Sequence, residues 1–240
     1  MKTDQQKIVL HKWLCYNKEH EMGGNRWDEM KQIYVHGLGQ TANSWERTLM
    51  QMNAAENSVC PDLAEISRGD SVTYENLYAA FSEICNKIDE SVDLCGLSLG
   101  GILALNYAIE RPEKVHSLAL IAVQYKMPKK LLQFQNVIFR LMPESMFQPV
   151  GFKKRGLLQL CKTMMALDFS ASVGKVSCPA LIICGEKDSA NKRSSIELAK
   201  AIKNAELQVI PHSGHELNVE APEKLAELLL EFYNRNRDRC

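Results

Sequence analysis

An open α/β sheet, mostly parallel and wound by helices on both faces, is predicted by three observations. Six short apolar runs recur along the 240-residue chain. Stretches with apolar residues at helical spacing lie between them. Several of the runs are unbroken rather than alternating, as strands covered on both faces require.

The runs are Gln32–Val35, Asn57–Cys60, Val92–Cys95, Ser117–Val123, Ala180–Cys184 and Leu207–Ile210. Helical spacing marks Tyr74–Ile88, Ser194–Ile202 and Glu223–Tyr233, and marks Ile102–Glu110, which stops before Pro112. Ile8–Tyr16 reads as a further strand, in an antiparallel edge formed by roughly the first 30 residues. Gln124–Val176 breaks the alternation. It has helix-like pieces cut by Pro128, Pro143, Pro149, Gly151 and Gly156, and no convincing strand. It holds five of the seven phenylalanines, five of the ten methionines, and nine Lys/Arg against two acidic residues. Such a shift between two sheet strands reads as an inserted helical cap. Residues 1–123 and 177–240 then form the core domain, with 124–176 the cap before the penultimate strand.

Twenty-nine Lys/Arg balance 29 Asp/Glu, so nothing global favours nucleic acid. No apolar stretch reaches the ~20 residues of a membrane span, and the N-terminus is too interrupted for a signal-peptide core. A cytoplasmic protein without stable membrane insertion is expected; the oligomeric state is open. The eight cysteines are scattered, without Cys-x-x-Cys or metal-type spacing. They read as reduced thiols, Cys60, Cys95 and Cys184 as small hydrophobes in or beside strands, and no metal site is expected.

Chemistry concentrates where strands end. Gly96-Leu97-Ser98-Leu99-Gly100 lies between an apolar run and a helical stretch. A serine at such a turn is lifted clear of the backbone, with helix-start N–H groups behind it. A hydroxyl needs a base, the base an orienting acid, and a developing oxyanion needs donors. Open α/β sheets place these at the carboxyl ends of strands. There the sequence continues as His36-Gly37-Leu38-Gly39-Gln40, as Gly185-Glu186-Lys187-Asp188, and as Pro211-His212-Ser213-Gly214-His215. Serine, acid and base occur there in the order Ser98, Asp188, His215, with Glu186 a rival acid and His212 a rival base. Asp188 also reads as a cap for the following helix, and His36 as a brace for its loop.

These pieces, with Arg111-Pro112-Glu113-Lys114-Val115 and Glu220-Ala221-Pro222-Glu223, resemble the α/β-hydrolase superfamily, in its compact carboxylesterase and lactonase-like form. The resemblance runs from about residue 32 to the C-terminus. It implies the α/β-hydrolase fold, with Ser98 as nucleophile, His215 as general base then acid, and Asp188 orienting His215. It implies an oxyanion hole from the backbone N–H groups of Leu38 and Leu99. The expected reaction is cleavage of a small carboxylic ester, lactone or thioester through an acyl-enzyme on Ser98, with no metal or organic cofactor. The same triad could instead serve a lyase-like or C–C bond hydrolase, or the fold could be a binding or sensor protein with vestigial turnover. Three departures from relatives matter. Gln124 stands where some carry the acid, leaving Asp188. Serine in place of aspartate disfavours an aspartyl-ester route. Ala64-Glu65-Ile66 replaces a glycine-rich turn.

Overall fold

The computed structural model describes residues 32–55, 57–67, 72–147 and 152–237. The strand expected at Ile8–Tyr16 lies outside them. The described part is built on a six-stranded parallel sheet in the order β2-β1-β3-β4-β5-β6. The strands are β1 (Gln32–Val35), β2 (Ser58–Val59), β3 (Val92–Leu97), β4 (Val115–Ile121), β5 (Ala180–Gly185) and β6 (Ala205–Ile210). Between and after them run α1 (Glu46–Met52), α2 (Leu63–Ile66), α3 (Tyr74–Asn86), α4 (Leu99–Glu110), α5 (Lys129–Leu141), α6 (Lys154–Met164), α7 (Ser189–Ala201), α8 (Leu217–Glu220) and α9 (Pro222–Asn236). No helix of the described residues is long and apolar enough to cross a membrane.

Period-two alternation is hidden in the sequence because both sheet faces are dry. Ile33, Leu94, Leu118 and Ile182 point into a core shared with α3, α4 and α7. Their neighbours Tyr34, Cys95, Ala119 and Ile183 point to the other side, against α1 and α9. An unbroken apolar run is what two buried faces demand.

Element ends moved for local reasons. β4 stops at Ile121 because Ala122 takes φ 53°, a left-handed conformation that no strand accommodates. α4 starts at Leu99, three residues earlier than its apolar spacing suggests, because the turn at Ser98 feeds straight into it. α7 likewise begins at Ser189, just after its cap Asp188, well before the apolar pattern becomes visible. The six described cysteines are free thiols, five of them buried.

Among its described residues the segment between β4 and β5 contributes α5 and α6 and no sheet strand. Its two ends meet. Lys126 and Asp168 form an antiparallel bridge and a 3.2 Å ion pair. Phe169 N–H donates to Tyr125 O at 2.8 Å and Met127 N–H to Leu167 O at 3.1 Å. Above this neck α5 packs on α6, whose Leu157, Leu160, Cys161 and Met164 are buried. Burying one such leucine contributes about 1.5–3 kcal/mol, which holds two short helices without a strand.

Candidate active site

All six strands run the same way, so the segments leaving β1, β3, β4, β5 and β6 share one edge of the sheet. The backbone there is stitched laterally. Ser98 N–H donates to Ile121 O at 2.8 Å, Ala122 N–H to Ile183 O at 2.8 Å, and Glu186 N–H to Ile210 O at 2.9 Å.

Ser98 sits on this edge with φ 52° and ψ −114°, a strained combination for any residue with a Cβ. Its flanking glycines are steric necessities. A Cβ on Gly96 would meet the Gly100 carbonyl, and one on Gly100 would meet the carbonyls of Val35 and His36. Strand β3, helix α4 and the loop after β1 therefore touch backbone to backbone around the serine.

His215 and Asp188 come together from separate loops, His215 Nδ1 lying 2.8 Å from Asp188 Oδ2. Asp188 is buried, and the other hydrogen bonds to its carboxylate among the described residues come from Asn191. The Asn191 amide nitrogen lies 2.9 and 2.8 Å from the two carboxylate oxygens, and the Asn191 backbone N–H lies 3.3 Å from Oδ1. A relay sets this amide's orientation. The Ala190 carbonyl accepts from Gln124 Nε2 at 2.8 Å, and the same Nε2 donates to Asn191 Oδ1 at 2.9 Å. Asn191 must then turn its NH₂ to Asp188. Burial pushes the Asp188 carboxyl up, but the donors from His215 and Asn191 outweigh it and hold it below its ordinary range. The Asp188 carboxylate in turn raises His215 above its ordinary value, against the opposing effect of burial. Asp188 thus both caps α7 and holds the histidine.

The rivals lie elsewhere. The His212 side chain is 88% exposed, and Glu186 accepts from the His212 backbone N–H at 2.8 Å, out in solvent. Cys161 lines the same cavity as Ser98, but burial pushes its thiol up to about 11, leaving it protonated and inert at neutral pH.

The loop after β1 is fixed from two sides. His36 is buried; its Nδ1 lies 2.9 Å from Gly37 O and its Nε2 accepts from Leu63 N–H at 3.0 Å. Only the neutral imidazole can do both, and burial lowers its pKa accordingly. Gln40, which sequence reasoning passed over, accepts from Gly37 N–H at 3.2 Å and pairs with Asn218. Among the described residues the amides of Leu38 and Leu99 have no protein acceptor, and both residues line the cavity that contains Ser98.

That cavity, about 410 Å³, is closed over by the segment between β4 and β5. Met127, Phe139, Met146, Phe147, Leu157 and Met164 line it from above, while Ser98, Gln124, Asn191 and His215 are polar groups on its floor and wall. Among the described residues no Lys, Arg, Asp or Glu lines it. Arg140, Lys154, Arg155 and Lys162 line a separate groove. Lys154 Nζ holds the carbonyls of Arg140 (2.7 Å) and Met142 (2.5 Å) at the end of α5.

The structure thus brings together a wound parallel sheet, a strained serine between strand and helix, and on the same cavity a histidine paired with an aspartate. The family model described as "Alpha/beta hydrolase family" matches residues 33–228, and the chain belongs to that family. Among curated proteins the chain is 24% identical to monoacylglycerol lipase ABHD6 of Mus musculus over 160 residues, 58% of this chain and 48% of that protein. The match thus spans about half of that relative's length. It is 32% identical over 96 residues to the pimeloyl-[acyl-carrier protein] methyl ester esterase of Neisseria meningitidis, 40% of this chain and 37% of that one. Among solved structures, the enol-lactonase from Burkholderia xenovorans LB400 superposes with a TM-score of 0.73 at 19% identity, covering 88% and 94% of the two chains. A thermophilic esterase from Thermogutta terrifontis gives 0.70 at 20% identity, covering 86% and 90%. These structural likenesses concern the fold.

Proposed function

We propose that the protein is a serine hydrolase that cleaves a small, uncharged carboxylic ester, lactone or thioester through an acyl-enzyme on Ser98. One observation carries this reading. Ser98, on its strained turn, lines the same apolar cavity as His215, which is paired with a buried, ionised Asp188. In this mechanism His215 takes the Ser98 proton as Oγ attacks the carbonyl carbon. Asp188 holds the Nδ1–H tautomer and stabilises the imidazolium. The amides of Leu38 and Leu99 receive the oxyanion, each such donor contributing about 10²–10³ in rate. His215 returns its proton to the leaving alcohol, and water then deacylates Ser98 with His215 as base. The helices over the cavity act as a cap that sets acyl preference. The names of the relatives supply context: a lipase, a methyl ester esterase and an enol-lactonase all act on an ester-type carbonyl. The uncharged lining that the described residues give the cavity argues for a neutral substrate in place of a carboxylate-bearing one.

Treatment with a fluorophosphonate, followed by peptide mass spectrometry, tests the reading. Modification should fall on the Ser98 peptide, and Ser98→Ala should abolish both labelling and hydrolysis of p-nitrophenyl esters. Full esterase activity in Ser98→Ala would overturn it.

A further inference from the structure

The outer surface of α5 is unexplained by the fold or by the cavity. The helix already uses one face, burying Leu132 and Asn136 and half-burying Phe139. Its opposite face is apolar too. Val137, Ile138 and Leu141 are 53%, 41% and 82% exposed, and spacings of three and four residues set them side by side. Met146, shortly beyond, is 55% exposed. Four of the nine exposed large apolar side chains among the described residues thus fall within ten positions. A helix that only faced water would be polar there, and a contiguous exposed patch of this kind marks a contact surface.

Charge identifies the partner. Arg140 borders the stripe and lines, with Arg155 and Lys162, a groove of about 530 Å³ between α5 and α6. Among the described residues none of these three cations is ion-paired with an acid. Glu144, the one acid lining the groove among the described residues, accepts from the Lys154 backbone N–H at 3.1 Å. A second copy docked by two-fold symmetry would bring the same cations face to face, so charge opposes self-association through this patch. A lipid–water interface with anionic headgroups suits both components, taking apolar side chains among acyl chains and cations at phosphates. Met146 belongs to the patch and also lines the Ser98 cavity, so the two features adjoin.

We propose that the outer face of α5, centred on Ile138 and Leu141 and flanked by Arg140, Arg155 and Lys162, docks reversibly on an anionic lipid surface. Such docking sets the Met146 rim of the cavity beside the membrane.

The test is co-sedimentation of the full-length protein with vesicles of phosphatidylcholine alone or mixed with phosphatidylglycerol, at low and high salt. The protein should bind the mixed vesicles and release as salt shortens the screening length. Arg155→Glu/Lys162→Glu should weaken that binding about tenfold, and Ile138→Ser/Leu141→Ser should weaken it about tenfold at either salt. None of the four lines the catalytic cavity, so circular dichroism and thermal melting should match the wild type. Binding is read without turnover, so its outcome is separate from that of the hydrolase reading. Failure of the wild type to bind mixed vesicles, or binding by both variants as tight as that of the wild type, would overturn the proposal. So would a concentration-dependent dimer, formed without vesicles and abolished by Ile138→Ser/Leu141→Ser, which would assign the patch to a second copy.

Discussion

Gln40 and Asn218 hold each other through two reciprocal amide hydrogen bonds, each 3.1 Å, across 178 residues of sequence. The pair is buried and joins the loop after β1 to α8, which begins two residues past His215. Because Gln40 also accepts from Gly37 N–H, the pair couples the Leu38 amide to the histidine loop. Gln40→Ala should leave the Asn218 amide and the Gly37 N–H without partners, at a cost of about 1–3 kcal/mol for each group stranded. We expect kcat to fall on the order of tenfold or more with little change in KM, since small misplacements are amplified at the transition state. Steady-state kinetics beside thermal melting measure both effects; an unchanged kcat in a folded variant would detach the pair from the chemistry.

Asp188→Asn should lower turnover by several orders of magnitude while the fold persists, because the amide selects the wrong histidine tautomer and cannot stabilise imidazolium. Glu186→Gln and His212→Ala should be near neutral, given that Glu186 contacts the His212 backbone N–H in solvent. Kinetics of the three variants decide the assignment, and an inactive Glu186→Gln would transfer the acid's role.

The pH behaviour follows from the two histidines, with opposite signs. His215 is raised by Asp188, so the active, neutral base is gained only as pH climbs through a value above the ordinary one. Asp188→Asn should move the acid limb of the residual rate to lower pH. For stability, a raised pKa means that the His215–Asp188 contribution is complete below the unfolded histidine value and fades as pH rises through the folded one. His36 behaves in reverse: its folded pKa is lowered by burial, so its contribution is complete above the unfolded value and is lost as pH falls toward the folded one. Melting temperatures of wild type and His36→Asn across mildly acid pH should converge as pH drops; a constant gap would rule the effect out.

Ser98→Gly should stabilise the protein while abolishing hydrolysis. The φ 52°, ψ −114° conformation costs a Cβ-bearing residue about 1–3 kcal/mol, partly offset by the greater chain entropy of glycine, about 0.5–1 kcal/mol. A gain near 1 kcal/mol should raise the melting temperature of a domain this size by about 2–4 °C. Ser98→Ala keeps the Cβ and should not share the gain. Calorimetry on the pair separates strain from chemistry.

Acyl preference should peak at short to medium chains and change gradually, since each methylene accommodated contributes about 0.8 kcal/mol and the Met-rich lining adapts. An anionic ester should show no advantage over its neutral analogue at low salt, because no cation lines the cavity among the described residues. Comparing kcat/KM for the two at low and high salt tests this.

Much of the sheet was legible in the chain. All six apolar runs became strands, because unbroken apolar residues between helical stretches admit few other packings. The turn around Ser98 was legible because its glycines leave a signature that close backbone contact forces. The residues that needed the structure are those whose meaning lies in long-range pairing. Gln40 and Asn218 look like ordinary loop amides until the sheet's parallel order brings their loops together. Asn191 and Gln124 became a relay only once the ends of β4 and β5 met at neighbouring strand positions.

The basic segment divides in the same way. Its composition announced a helical excursion, but only tertiary packing decided that Met127, Phe139, Met146, Phe147 and Met164 would line the cavity while Arg140, Arg155 and Lys162 would line a separate groove. The chain by itself determined the strands, the helices and the chemically competent residue types, since periodicity, glycine placement and side-chain chemistry are local properties. Tertiary structure decided which of those residues meet. Hydrogen-bond partners, burial and the pKa shifts that follow from them arise from distances across the fold, which no local pattern encodes.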